Sequence, residues 1–195
     1  MRVTSSDLPE VLVIEPQVFG DSRGYFLESW SQARYQKAGL TETFVQDNLS
    51  LSRRGTLRGL HFQEPKAQGK LVTVLEGTIF DVAVDVRVGS PRFGKSMSMM
   101  LSGETKHQLY IPPGFAHGFC VLSDTALFMY KCTEAYAPEA EVGVIWNDPD
   151  LAIRWPVQDP TLSAKDAKLS RLRDLDPKRL PVYQEHTADG EGGRR

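Results

Sequence analysis

The chain of 195 residues has only two cysteines, Cys120 and Cys132. They are too few for a disulfide framework and are not spaced like zinc ligands. Both sit in apolar, strand-like runs, so they read as buried reduced thiols without chemistry, a bridge between them being the minor alternative. Long apolar runs are missing as well. The N-terminal "MRVTSSDLPEVLVIEP" offers only Val11 to Ile14, no signal-peptide core, and nothing reaches membrane length, which leads us to expect a soluble cytoplasmic protein. Neither sign of charge dominates: the formal net charge is -2 and the pI about 6.1. A nucleic-acid backbone or an anionic membrane is therefore not an expected partner, and any bound anion must be met by local charges. Internal repeats and low-complexity blocks are absent.

What is present is enough apolar residue, 41% of the chain, for one sizeable core. One domain over residues 1–185 is expected. From Lys70 to Val88, "KLVTVLEGTIFDVAVDVRV", Phe80, Val82, Val84, Val86 and Val88 share one face and Asp81, Asp85 and Arg87 the other. That is the period of a strand. Glu76-Gly77 interrupts the run like a tight connection, which predicts Leu71 to Leu75 as the antiparallel neighbour. Further on, "HQLYIPPGFAHGFCVLSDTALFMYKCT" predicts strands ending at Ile111, from His117 to Leu122, and through Cys132, split by Pro-Pro-Gly and Ser-Asp-Thr turns. Short strands at this spacing favour an all-β sandwich or barrel. Helix is scarce, with candidates at Ser29 to Gly39 and Ser163 to Leu175. The tail His186 to Arg195, with three glycines and no aliphatic anchor, is expected to be disordered.

Only four histidines occur. His186 lies in the polar tail and His107 in a polar loop or edge, which leaves His61 and His117. A single histidine among apolar neighbours is more often a hydrogen-bonded structural residue than a catalyst. A metal site is disfavoured, because "HFQ" and "PPGFAHGF" supply no second nearby histidine and no well-spaced carboxylate. Acid–base chemistry needs less: a base, an orienting partner and a donor across the substrate. Asp166 could orient an imidazole, Tyr130 deliver a proton and Lys70 stabilise an oxyanion. Each also has a plainer reading, as a helix-face carboxylate, an amphipathic strand aromatic and a snorkelling surface lysine. The stretch "NLSLSRRGTLRGLHFQ" sharpens the question, since it sets Arg58 and His61 in a strand among Leu57, Leu60 and Phe62. Desolvating them must be offset by a partner.

Several ordered blocks are similar to one family: "VFGDSRGYFLES", "VQDNLSLSRRGTLRGLHFQ", "QGKLVTVLEGTIFDVAVDVRVGSPRFGK", "IPPGFAHGFCVLSDTALFMYKCTEAYAPEAE", "WNDPDLAIRWP" and "LSAKD". Together they resemble the dTDP-4-dehydrorhamnose 3,5-epimerases over roughly Leu8 to Asp166. The resemblance implies a cupin-type antiparallel jelly roll with a few short peripheral helices, a homodimer in which an N-terminal strand enters the partner's sheet and site, and neither metal nor cofactor. It implies His61 as the base, Asp166 as its orienting carboxylate, Tyr130 as the opposite-face acid, Lys70 at the C4 oxygen and His117 in the same pocket. Arg23, Arg58 and Lys165 match positions near the diphosphate. Phe26, Glu28, Gln46, Asn48 and Tyr136 match positions around the deoxythymidine, with Arg23, Phe26 and Glu28 supplied by the partner subunit. The alternatives left open are an epimerase acting at C3 only or C5 only, a non-catalytic cupin that binds a sugar nucleotide, and a metal-dependent cupin oxygenase or isomerase.

Overall fold

A computed structural model of the protein describes residues 1–184. The tail His186–Arg195 and the last residue of the expected domain lie outside the described residues. In chain order the strands are β1 (Arg2–Ser5), β2 (Leu12–Glu15), β3 (Val18–Asp21), β4 (Gly24–Leu27), β5 (Gln46–Arg53), β6 (Leu57–Gln63), β7 (Lys70–Glu76), β8 (Thr78–Asp85), β9 (Ser96–Ser102), β10 (Gln108–Ile111), β11 (Phe115–Val121), β12 (Thr125–Cys132) and β13 (Glu141–Gly143). A short helix, α1 (Gln32–Lys37), lies between β4 and β5.

Two antiparallel sheets face each other, one ordered β1-β2-β10-β7-β12-β5 and the other β13-β6-β11-β8-β9. The all-β antiparallel arrangement is the one expected. β3 and β4 pair only with each other, as a ribbon apart from both sheets.

The predicted hairpin across Glu76-Gly77 does not form. β7 pairs with β10 and β12 in the first sheet, whereas β8 pairs with β11 and β9 in the second. Gly77, at φ +81°, takes the chain across the sandwich, and a Cβ there would collide with the Thr125 carbonyl oxygen. An alternating apolar run reads the same on either side of a hairpin or a corner. β8 also stops at Asp85, short of Val88.

The helix expectation at Ser29–Gly39 is met in its centre by α1, after which Gly39 takes φ +99°. The one at Ser163–Leu175 is not met. That segment holds only two 3₁₀ turns, Asp166–Lys168 and Leu172–Asp174. Its backbone is committed elsewhere: Ser170 bridges Val144 and its carbonyl accepts the Ile145 N–H, so a continuous helix would break that attachment.

Three apolar clusters hold these layers. Val72, Ile79, Leu109, Phe119 and Phe128 fill the space between the sheets. Leu60, Phe62, Val82, Val84 and Val144 pack on the outer face of the second sheet beneath Leu151, Leu172 and Leu180. Ile14, Leu71 and Tyr110 receive Tyr35 of α1 and Leu40. Both cysteines are buried and free. Among the described residues no helix is long and apolar enough to cross a membrane.

Candidate active site

The site begins with an irregularity in β6. Regular alternation would put Arg58 and His61, three residues apart, on opposite faces. Against β11, however, His61 pairs with His117 and Arg58 with Phe119, so three steps on β6 match two on β11. The extra residue is a β-bulge, and it brings Arg58 and His61 to one face. Gly59 and Gly118 allow it: Gly59 has φ +99°, and a Cβ on it would collide with the His117 carbonyl oxygen. Leu60 and Phe62 turn the other way, into the outer cluster.

His61 Nε2 lies 2.7 Å from Asp166 Oδ1. A carboxylate only accepts, so Nε2 carries the proton and Nδ1 holds the free lone pair. Asp166 is held in place by the two attachments of its segment, at Thr161 and Ser170, and by its own N–H donating to Ser163 Oγ at 3.0 Å. A second dyad stands alongside, His117 Nε2 donating to Asp81 Oδ2 at 2.9 Å, with Asp81 wholly buried.

The opposing sheet supplies the other wall. On β12 and β7, Cys132 pairs with Lys70 and Tyr130 with Val72, while Tyr130 also pairs with Asn48 on β5. Lys70 is only 8% exposed and has no carboxylate partner among the described residues. Between the walls lies a cavity of about 400 Å³, lined by His61, His117 and Asp166 on one side and Lys70, Tyr130 and Asn48 on the other. Arg58, Tyr136 and Lys165 reach the same cavity. Gln46 lines a smaller adjoining one of about 230 Å³ and accepts the Tyr136 N–H at 2.9 Å.

Arg23, Phe26 and Glu28 are not brought to this cavity. Arg23 and Phe26 line a cleft of the β3–β4 ribbon, and Glu28 pairs with Arg34 at 3.3 Å. Among the described residues no three His, Cys, Asp or Glu side chains are grouped to hold a metal ion.

The comparisons with known proteins agree with one another. The family profile described as dTDP-4-dehydrorhamnose 3,5-epimerase matches residues 5–174. The chain belongs to this family. A dTDP-4-dehydrorhamnose 3,5-epimerase of Shigella flexneri is 53% identical over 178 residues, covering 90% of this chain and 98% of the relative. A Legionella pneumophila dTDP-6-deoxy-D-glucose-3,5-epimerase, solved with dTDP-4-keto-L-rhamnose, superposes with a TM-score of 0.92 at 50% identity, covering 94% of this chain and 99% of that one. A 3'-monoepimerase of Streptomyces bikiniensis solved with dTDP-quinovose is more distant, at TM-score 0.87 and 33% identity over 92% of this chain and 93% of its own.

Within this epimerase burial competes with hydrogen bonds and nearby charges to set the direction in which each group shifts. Burial pushes the Asp166 carboxyl up, but the His61 hydrogen bond and charge outweigh it and hold it below the usual carboxylate value. Burial pushes the Tyr130 phenol up, which keeps its proton in place at neutral pH. Burial pulls the Lys70 ammonium down, while Cys132 and Glu141 act the other way.

Two carboxylates that face the histidines of the cavity escaped the sequence reading. Asp81 carried a signal, a charge in the middle of an apolar strand, yet nothing in the spacing tied it to His117. Glu141 had none: it sits on β13, a three-residue strand in a loop-like stretch, and lies 3.7 Å from His61 Nδ1. Gly143 on the same strand leaves room for the imidazole, since a Cβ there would stand 3.2 Å from His61 Cδ2 and closer still to the flexible end of Leu169. Gly143→Ala is expected to lower kcat by about three- to tenfold through a small displacement of the ring, since even an ångström of misplacement costs about 10²-fold. Steady-state rates alongside an unchanged circular dichroism spectrum check this; an unaltered kcat would mean that Leu169 alone gives way.

Proposed function

We propose that the cavity inverts C5 and C3 of dTDP-4-dehydro-6-deoxy-D-glucose to give dTDP-4-dehydro-L-rhamnose. The observation that carries this reading is the two-walled cavity. His61 with its carboxylate stands on one sheet, Tyr130 and a buried, unpaired Lys70 on the other. Inversion at carbon requires a proton to leave by one face and return by the other, and two facing sheets supply opposed groups.

His61 Nδ1 takes the proton from the carbon beside the ketone, and the C–H electron pair moves into a C4 enolate. Lys70 meets the charge that develops on the C4 oxygen, and Asp166 the imidazolium. Tyr130 then returns a proton to the opposite face, and exchange with water restores both side chains. Because the C4 ketone acidifies both neighbours, the same groups serve C3 after C5. His117, oriented by Asp81, completes the polar wall. Arg58 and Lys165 receive the diphosphate, and Gln46, Asn48 and Tyr136 the deoxythymidine.

The working unit in this proposal is a cytoplasmic homodimer with strand exchange. Supporting it, the β3–β4 ribbon exposes Phe19, Tyr25 and Phe26, and the outer face of β5 exposes Leu49 and Leu51, more apolar surface than a monomer keeps without purpose. Arg23, Phe26 and Glu28 would then act in the partner's cavity.

Incubation with dTDP-4-dehydro-6-deoxy-D-glucose in deuterated water tests the reaction. Deuterium at both C3 and C5 is expected, and a coupled 4-keto reductase should form dTDP-L-rhamnose. Label at one carbon alone would move the protein beside the monoepimerases, and none at all would leave a binding protein.

A further inference from the structure

We propose that Glu141 links nucleotide binding to the strength of the His61 base. The inference rests on the reading of the cavity as a nucleotide-sugar site. Glu141 Oε1 lies 2.6 Å from Lys165 Nζ and 3.7 Å from His61 Nδ1, while Oε2 accepts the Tyr136 hydroxyl at 2.6 Å. One carboxylate oxygen thus faces two competing cations, the ammonium and the imidazolium that forms when Nδ1 gains a proton. The partners differ in freedom. The Glu141 side chain is 12% exposed, whereas that of Lys165 is 55% exposed and sits on a long flexible stem. The carboxylate is charged in the resting site: burial pushes it up, but the hydrogen bonds from Lys165 and Tyr136 help hold it below its usual value.

The diphosphate shifts this competition. Arg58 bonds Ser52 Oγ at 3.1 Å and no carboxylate among the described residues, so with Lys165 it forms the cationic side of the cavity. A diphosphate seated there draws Lys165 off Glu141. Glu141, still held by Tyr136, then turns an uncompensated charge on Nδ1. His61 acquires a carboxylate at each nitrogen, Asp166 at one and Glu141 at the other. An opposite charge within about 4–6 Å favours the ionised form. A carbon acid is weak, so the base gains where it needs to, and only with nucleotide in place. Before binding, Lys165 keeps Glu141 quiet and leaves His61 with its lone pair free. The other charged or titratable groups facing the ring are Lys70 and Tyr130 across the cavity and His117 and Arg58 beside it, and the comparison below leaves them unchanged.

The experiment uses the intact protein with ¹⁵N-labelled histidine and dTDP itself as probe. The imidazolium fraction of His61 at pH 8 is read from the ring nitrogen shifts. In the wild type dTDP is expected to raise it several-fold. In Glu141→Gln, which keeps the Tyr136 hydrogen bond, the rise should fall to less than half, and kcat should drop about tenfold without a rise in KM. In Lys165→Met the raised fraction should be present before nucleotide is added. Equal rises in the wild type and Glu141→Gln would overturn the link, as would a nucleotide-free Lys165→Met indistinguishable from the wild type. Saturable dTDP shifts elsewhere in the cavity with an unresponsive His61 would sink the link and spare the nucleotide-sugar reading. An absence of any saturable shift would remove both.

Discussion

His61→Ala is expected to abolish deuterium exchange at C3 and C5, by about 10³-fold or more, while dTDP binds almost as before. General acid–base catalysis supplies about 10²–10⁴-fold, and a single base serving both carbons concentrates that factor in one side chain. No neighbour can take over. Asp166 is 4% exposed and stands behind the ring, and His117 is tied through Nε2 to Asp81. The variant also strands the Asp166 carboxylate without its partner, so a thermal melt must accompany the assay. His61→Asn retains an amide donor and separates the two effects: the same loss of exchange with a smaller loss of Tm is expected. Exchange at the wild-type rate in either variant would refute His61 as the base.

Lys70→Met is expected to cost about 10²–10³-fold in kcat and to make the protein more stable. The rate falls because the group facing the developing C4 oxyanion is gone. Stability rises because the lysine is desolvated and unpaired in the free enzyme, and methionine fills the same volume without charge. The sign follows from the direction of the shift. Burial puts the folded-state value of Lys70 below the unfolded 10.5, so the unfolded chain binds more protons between the two values. The penalty is full below the folded value and is relieved as pH rises through it toward 10.5. Lys70→Met should therefore raise Tm at neutral pH, by roughly 2–4 °C for each kcal/mol recovered, and less at alkaline pH. A Tm that falls at neutral pH would show that the ammonium is already compensated.

How much of this was legible in the sequence depends on whether the signal was local. The strands through Ile111, His117 and Cys132 were, because alternation and turn residues lie within a few positions of each other. The placement of β7 and β8 in different sheets was not, since a glycine turn looks alike in a hairpin and at a corner. The segment at 163–175 looked helical because its composition permits a helix, but the bridge from Ser170 to Val144 is a contact distant in sequence. Of the site, His61, Lys70, Tyr130 and Asp166 were named from their chemistry and from family blocks, which carry distant pairings that spacing does not. Arg58 with His61 was flagged as a desolvation problem, but the bulge that puts both on one face has no period of its own. Asp81 and Glu141 stand against histidines on other strands, so only coordinates bring them forward.

The bulge has a consequence for how this gene can change. Loops on the surface tolerate added or missing residues at small cost, and sequence drift there is nearly silent. β6 does not share that tolerance. Losing or gaining a single codon between Arg58 and His61 would turn one of the two away from the cavity, and in the proposed reaction that leaves an enzyme that holds its nucleotide without a base or keeps its base without a grip on the phosphates. The count of residues in that strand is thus as much a part of the active site as their identities.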